Sequence, residues 1–231
     1  MRRLAVWVMA LGLLVLPAQG ASRDKLVALT FDDGPSGRYT TALLEGLGSR
    51  GVKATFLLCG YRMKDYPELT QRIFDEGHEI GYHGYSHDSM KNMSRTTIGQ
   101  ELIDSQALLP EDCDPVFLRP PGGFTTDGVR QVAQARQLAI LSWSVDPRDW
   151  ATADASSVEQ TVLRNVKDGD IILLHDMSMS SVRAAIDIVD ALQSRGFRFV
   201  TVSEMARLRE IRIRPGQTYA SFPPPAQEEV K

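Results

Sequence analysis

KLVALTFDDGP, Lys25–Pro35, is an apolar, β-like run that ends in two adjacent carboxylates and a turn. Neighbouring like charges repel, and a carboxylate behind a buried strand is costly unless something compensates it. By itself, Asp-Gly-Pro is ordinary turn chemistry that ends a strand with both aspartates in water. The rest of the chain decides between these readings. The first apolar run spans Lys25 to Phe31, and further short apolar or β-branched runs follow at Lys53 to Cys59, Glu79 to His83, Val116 to Arg119, Leu138 to Val145, Asp170 to His175 and Phe197 to Val202. Between them lie stretches of helical period: Thr40 to Ser49, Tyr66 to Glu76, Thr96 to Leu109, Asp127 to Arg136, Ser156 to Val166 and Met179 to Ser194. The last is the clearest, with Val182, Ala185, Ile186, Val189 and Leu192 on one face and Gly196 placed to end it. Strand then helix, repeated about seven times, predicts an α/β fold built on a parallel sheet or closed barrel. In a barrel, chemistry collects at the C-terminal ends of the strands.

The 231 residues suit one large domain or two small ones, and an apolar share of 43% is ample for a packed core. No linker divides the alternation. A formal charge of −3 gives no reason to expect a nucleic-acid partner. The opening MRRLAVWVMALGLLVLPAQGAS has Arg2 and Arg3, an apolar run from Leu4 to Leu16, and small residues before an expected cut after Gly20. The run is shorter than the roughly 20 residues that span a bilayer. The expectation is therefore an export signal over residues 1–20, with no membrane anchor after cleavage and a periplasmic or extracellular protein. A single folded domain over 21–213 and a Pro-rich, solvated tail over 214–231 complete the layout, and a monomer is expected. Export makes the two cysteines worth a question. Cys59 ends one strand run and Cys113 precedes another, which places them near opposite ends of a parallel sheet, so no disulfide is expected.

Three of the four histidines fall just past strand ends: His83 and His87 in HGYSH, and His175 in ILLHD. Asp32 and Asp33 follow the first run, Arg119 the fourth, and Asp146 and Asp149 the fifth, in SVDPRDW. A solvated surface would scatter such residues. His83 and His87, spaced i, i+4, can face one ion from a helical turn or tight loop, with Asp33 as an oxygen donor. Two imidazoles and a carboxylate leave an open position for water, as in catalytic zinc sites. His78 and Glu79 mimic the start of H-E-x-x-H, but the second His would fall on Tyr82; His78 is expected in a turn.

At these residues the chain resembles the NodB-homology polysaccharide deacetylases, carbohydrate esterase family 4. TFDDGP, HGYSH, RPPGG, DPRDW and LLH match that family's motifs in order, across nearly all of the chain after the signal. The resemblance implies a distorted, incomplete (β/α) barrel of about seven parallel strands, holding a divalent metal and removing acetyl groups from N-acetylated sugars. Zinc is the expected metal, with cobalt as the alternative. By the same resemblance Asp33, His83 and His87 bind metal, Asp32 is the general base and Arg119 pairs with Asp32. His175 is the acid for the leaving amine, and Asp146 or Asp149 tunes His175 and braces Arg119, with Asp149 favoured as the brace. A backbone N–H in the 120 to 123 loop would stabilise the oxyanion, with Pro121 and Gly122 against the substrate, and Trp150 and Leu173 would wall the acetyl methyl, although core packing accounts for those two equally well.

Two positions depart from the family pattern. Gly84 stands where Ser or Thr is usual, which removes a hydrogen bond that shapes the loop. Gly122 stands where an aromatic is common, which removes a side-chain wall and bears on substrate preference. The reading is an exported deacetylase of N-acetylglucosamine-containing glycans, peptidoglycan or chitin-like. Its alternatives are a deacetylase of O-acetyl esters or small acetylated amines, and a glycan-binding protein without turnover.

Overall fold

The computed structural model describes residues 24–225; residues 1–20, expected to be an export signal, and the last residues of the expected tail lie outside them. Strands β1 (Lys25–Asp32), β2 (Thr55–Leu58), β3 (Glu79–Tyr82), β4 (Phe117–Leu118), β5 (Ala139–Leu141), β6 (Asp170–His175) and β7 (Phe197–Phe199) fall within the predicted runs, except that β1 continues one residue past Phe31. The helices are α1 (Gly37–Gly48), α2 (Gly60–Asp65), α3 (Pro67–Asp75), α4 (Arg95–Gln106), α5 (Asp127–Ala135), α6 (Ala155–Asn165), α7 (Met179–Ser194) and α8 (Val202–Leu208). Helix α7 has the predicted bounds, and most of the others shift by one or a few residues. The short α2 and α8 lack enough turns to declare a period and are new. Five helices start on side-chain caps: Ser94, Thr126, Asp154, Ser178 and Thr201 each accept a hydrogen bond from a first-turn N–H.

All strand pairs are parallel, in the order β6-β1-β2-β3-β4-β5, and β7 pairs with the lower part of β1. The alternation along β1 sorts its side chains between two cores. Val27, Leu29 and Phe31 point outward against α1 and α7, packing with Leu43, Leu44, Val182 and Ile188. Leu26 and Ala28 point into the barrel, where Leu57, Phe117, Leu141, Ile171 and Met205 fill its lower half. Burial on both faces makes the strands of a parallel barrel read as unbroken apolar runs.

The C-terminal segment corrects the expectation of a solvated tail from 214 onward. Thr218–Tyr219 forms β8 on the free edge of β5, and Phe222 is fully buried in the lower barrel core. Ser221 bridges Asp170, the Phe222 N–H donates to the Gly169 carbonyl at 2.7 Å, and Val145 bridges Ile172. The fifth run leaves the sheet after Leu141, and its end reaches across to β6. These links draw together the ends of an otherwise incomplete barrel. A side chain on Gly169 would start 2.2 Å from the Phe222 carbonyl oxygen, so only glycine admits this closure. Cys59 and Cys113 are both free, as expected.

Candidate active site

The alternation of β1 explains the paired carboxylates. Thr30 and Asp32 continue the inward face of Leu26 and Ala28, so Asp32 lies inside the barrel mouth and is buried. Alternation stops after Asp32, and Asp33, at φ 72°, turns the chain out of the strand. The two side chains thereby reach different partners.

Arg119, at the top of β4, is fully buried. One terminal nitrogen, Nη1, donates to Asp32 Oδ1 at 2.5 Å and to Thr30 Oγ1 at 2.8 Å. Nη2 donates to the Ser142 carbonyl at 3.0 Å, and Nε faces the Leu141 carbonyl at 3.4 Å. A buried guanidinium needs this many acceptors, and the pairing fixes one oxygen of Asp32 while leaving Oδ2 free.

Asp33 Oδ1 lies 3.2 Å from His83 Nε2 and 3.0 Å from His87 Nε2. His83 Nδ1 is 2.7 Å from the Arg119 carbonyl, which can only accept, so Nδ1 carries the proton and Nε2 presents its lone pair. Three donor atoms within 4.8 Å of one another match a common centre, for tetrahedral ligands about 2.0–2.1 Å from a zinc ion stand roughly 3.3 Å apart. Asp33 Oδ1 is also buried without a conventional hydrogen-bond partner, which a cation would supply. Burial alone would raise the Asp33 pKa, but the imidazoles of His83 and His87, where they carry a second proton, outweigh it and hold the carboxyl well below the carboxylate range, a place a bound cation would take. The same contact with Asp33 raises His87. These residues fit a dication.

The histidine loop is built without the hydroxyl expected after His83. Gly84 takes φ 80°, and a Cβ there would stand 3.2 Å from Glu101 Oε2. That carboxylate oxygen, on α4, accepts the N–H groups of Tyr85 and Ser86 at 2.7 and 2.8 Å and the Ser86 hydroxyl at 3.1 Å. Glu101 thus shapes the loop that carries both imidazoles. Its sequence carries no sign of this, since it reads as an ordinary polar position of a helix.

Across the mouth, His175 Nδ1 lies 2.8 Å from Asp149 Oδ1, while its backbone N–H donates to Asp149 Oδ2 at 2.9 Å. Burial would lower the His175 pKa, but the bond to Asp149 and its charge win and raise it to about 9. The expectation that Asp149 braces Arg119 is therefore corrected: Asp149 is spent on His175, and backbone carbonyls brace Arg119. Asp146 is exposed on the cleft and accepts the Arg148 N–H at 2.8 Å, a local turn bond. Asp176, next to His175 and fully buried, accepts the Thr40 hydroxyl and packs against the α-carbon of Gly34, beneath the Asp33 turn.

The cleft above these groups encloses about 420 Å³ and takes in Asp32, Asp33, His83, His87, Leu173 and His175. Trp150 also lines it and is 59% exposed, which excludes a core-packing role. Gly122 and Gly123 form one wall, and Pro121 is buried in their turn. Trp143, not singled out in the sequence, is a further wall: a Cβ on Gly123 would meet its ring at 2.7 Å. A Cβ on Gly122 would meet the half-exposed Phe124 ring at 3.0 Å, so an aromatic still stands where Gly122 lacks one. Two loops, those after β4 and β5, thus bring Phe124, Trp143 and Trp150 around a mouth where the sequence shows no aromatic row. His78 lies elsewhere, buried just after a turn below β3, where its Nδ1 accepts the Ala54 N–H.

Residues 19–141 match the family model described as polysaccharide deacetylase. The chain is 37% identical over 194 residues to a peptidoglycan-N-acetylglucosamine deacetylase of Bacillus cereus, covering 81% of this chain and 91% of that protein. It is 33% identical over 185 residues to a chitooligosaccharide deacetylase of Sinorhizobium fredii, covering 79% and 83% respectively. A solved family 4 acetyl xylan esterase of Clostridium thermocellum, in complex with a cobalt ion, superposes with a TM-score of 0.80 at 35% identity, over 86% of this chain and 100% of that one. Strand-end chemistry, barrel and likeness agree: the chain belongs to the polysaccharide deacetylase family, hydrolases that deacetylate glycans.

Proposed function

We propose that this protein is an exported, divalent-metal-dependent hydrolase that removes acetyl groups from N-acetylglucosamine-containing glycans, peptidoglycan or chitin-like oligosaccharides. The observation that carries the reading is the separation of the two aspartates, with Asp33 Oδ1 facing two imidazole nitrogens and Asp32 bound to Arg119 beside them. Asp33, His83 and His87 would hold the metal, and their nitrogen and oxygen donors suit zinc, with cobalt as the alternative. A dication there supplies Lewis acidity, lowering the pKa of water towards about 7 and polarising the acetamide carbonyl.

The side chains supply the rest. Asp32 Oδ2, the oxygen that Arg119 leaves free and 3.8 Å from His83 Nε2, takes the proton of the attacking water. Negative charge then grows on the carbonyl oxygen, where a positioned N–H can contribute about 3 kcal/mol. Gly122 is the donor assigned to that task, because Pro121 has no N–H and Gly123 donates to the Pro120 carbonyl at 2.8 Å. His175 is held through Nδ1 by Asp149, so its Nε2 delivers a proton to the leaving amine, a poor leaving group without it. Leu173 and Trp143 wall the space for the acetyl methyl.

The likeness to a xylan esterase favours O-acetyl esters as a second reading. An alkoxide departs more readily than an amide anion, so loss of the acid separates the two. Acetate release across peptidoglycan fragments, chitooligosaccharides and acetylated xylan, with and without chelator, tests the proposal. Release is expected from the N-acetylated glycans and to stop with chelator. Asp32→Asn should keep its metal and release no acetate; undiminished release from that variant would overturn the base assignment.

A further inference from the structure

Of the acids buried at the mouth, Asp32 and Asp149 have parts in the chemistry proposed above and Asp176 has none. Its side chain is fully enclosed, and Oδ1 has no hydrogen-bond partner. An apolar side chain of that size would cost less there, so the carboxylate needs a reason other than stability.

Its surroundings supply one. Strands β1 and β6 are paired to their last residues, Asp32 opposite His175. The next residue on β1 is Asp33, and the next on β6 is Asp176, whose carboxylate lies beneath the turn of residues 33–36. A Cβ on Gly34 would stand 2.5 and 2.6 Å from the two oxygens of that carboxylate, although Gly34 does not take a positive φ. Glycine is demanded here by Asp176 and not by the backbone. Asp176 Oδ2 accepts the Thr40 hydroxyl, and the same hydroxyl oxygen accepts the Ser36 N–H at 2.6 Å. The Ser36 hydroxyl donates to the Asp176 carbonyl. The turn is thus held by contact at Gly34 and by hydrogen bonds at Ser36, all on the residue that follows His175.

We propose that Asp176 is a positioning residue: it seats the turn that carries Asp33 on the end of β6, and so fixes where that metal ligand stands relative to His175. The inference rests on the deacetylase reading, in which Asp33 holds the metal and His175 is the acid. It gives the donor triad two supports of one kind. Glu101 shapes the loop of the two imidazoles, and Asp176 carries the turn of the carboxylate. Donor atoms must stand within about 0.2 Å of their bonding distances, so a support that lets one of them drift lowers metal affinity.

Two measurements that do not depend on turnover test the role: zinc affinity, by competition with a chromophoric chelator, and the visible spectrum of the cobalt-loaded protein. Asp176→Ala should bind zinc about 10–100-fold more weakly and alter the cobalt spectrum, which a loss of global stability alone would leave unchanged in folded protein. Asp176→Asn, which keeps the shape and can accept from Thr40, should recover most of the loss. Gly34→Ala drives a methyl group against the carboxylate and should by itself weaken zinc about tenfold or more. Added to Asp176→Ala, which clears that space, it should cost less than about twofold further. Parental zinc affinity and cobalt spectrum in folded Asp176→Ala would overturn the proposal, as would losses that simply multiply in the double variant. If Asp176→Ala does not fold, Gly34→Ala decides: parental zinc affinity there overturns the role, and weakened zinc beside a near-parental Asp176→Asn supports it. A parent protein that takes up neither zinc nor cobalt would instead sink the metal reading, and this role with it.

Discussion

The two ends of the barrel bury carboxylates in opposite ways. At the floor, Glu79 accepts the Ser203 N–H and hydroxyl and the Thr55 hydroxyl, while Asp168 accepts the Leu26 N–H and pairs with Arg209. Burial pushes the Glu79 pKa up, and those bonds oppose the rise. At the mouth, Asp33 Oδ1 faces only imidazole nitrogens and Asp176 Oδ1 has no partner. Floor carboxylates are bonded by groups that also join α8 and its C-terminal end to the strands, so they serve stability. Mouth carboxylates keep acceptor capacity unspent, at a cost that only a cation or a reacting proton recovers. Substitutions should separate the two ends by what they change.

The largest effect is expected from His83→Ala, which removes one of the three donors: zinc content after dialysis, read by mass spectrometry, should fall to background and acetate release with it. Retention of stoichiometric zinc would break the contrast at its centre. Arg119→Ala leaves Asp32 buried without its cation, which costs about 3–5 kcal/mol, so denaturant unfolding should show a loss of that size. Glu101→Ala, at the mouth but touching no donor atom, should weaken zinc about 10–100-fold with little change in melting temperature, and Glu101→Gln less.

Asp149→Asn tests the acid. In the proposed mechanism His175 gives up a proton, so activity is present below its pKa and lost as pH rises through it. Asp149 raises that pKa to about 9, and a dication nearby would pull it down. Loss of the Asp149 charge should move the alkaline limb of the rate profile to lower pH; an unmoved limb would remove His175 from the role. The smallest effect belongs to the floor: Ser203→Ala should cost about 1–3 kcal/mol of stability and leave zinc affinity unchanged. A change in zinc affinity would show that the ends are coupled.

Much of this contrast was legible along the chain. Apolar runs marked the strands because parallel strands are buried on both faces, and the residues past their ends marked the mouth. Other features were not. Strand β8 is two residues long and Phe222 stands among prolines, so nothing local distinguishes them from a solvated segment. Glu101 works through a loop 15 and 16 residues away, a distance no helical period reports. Asp176 was within reach, as the acidic residue that follows His175 in LLHD, but its burial beneath Gly34 was not.

The order of acids, imidazoles and arginine at strand ends, together with the repeated alternation of apolar runs and helical stretches, pointed to an α/β fold and the candidate donors from the chain alone, and the motifs' resemblance pointed to the family and its barrel. Those are local or repeating properties, carried by neighbouring residues. Which carboxylate meets which cation was decided only by tertiary structure. Asp149 took His175 rather than Arg119, Glu101 took the place of a missing hydroxyl, and Phe222 became part of the core. Such pairings depend on the register between distant segments and on the competition of buried polar groups for partners, and neither exists before the barrel closes.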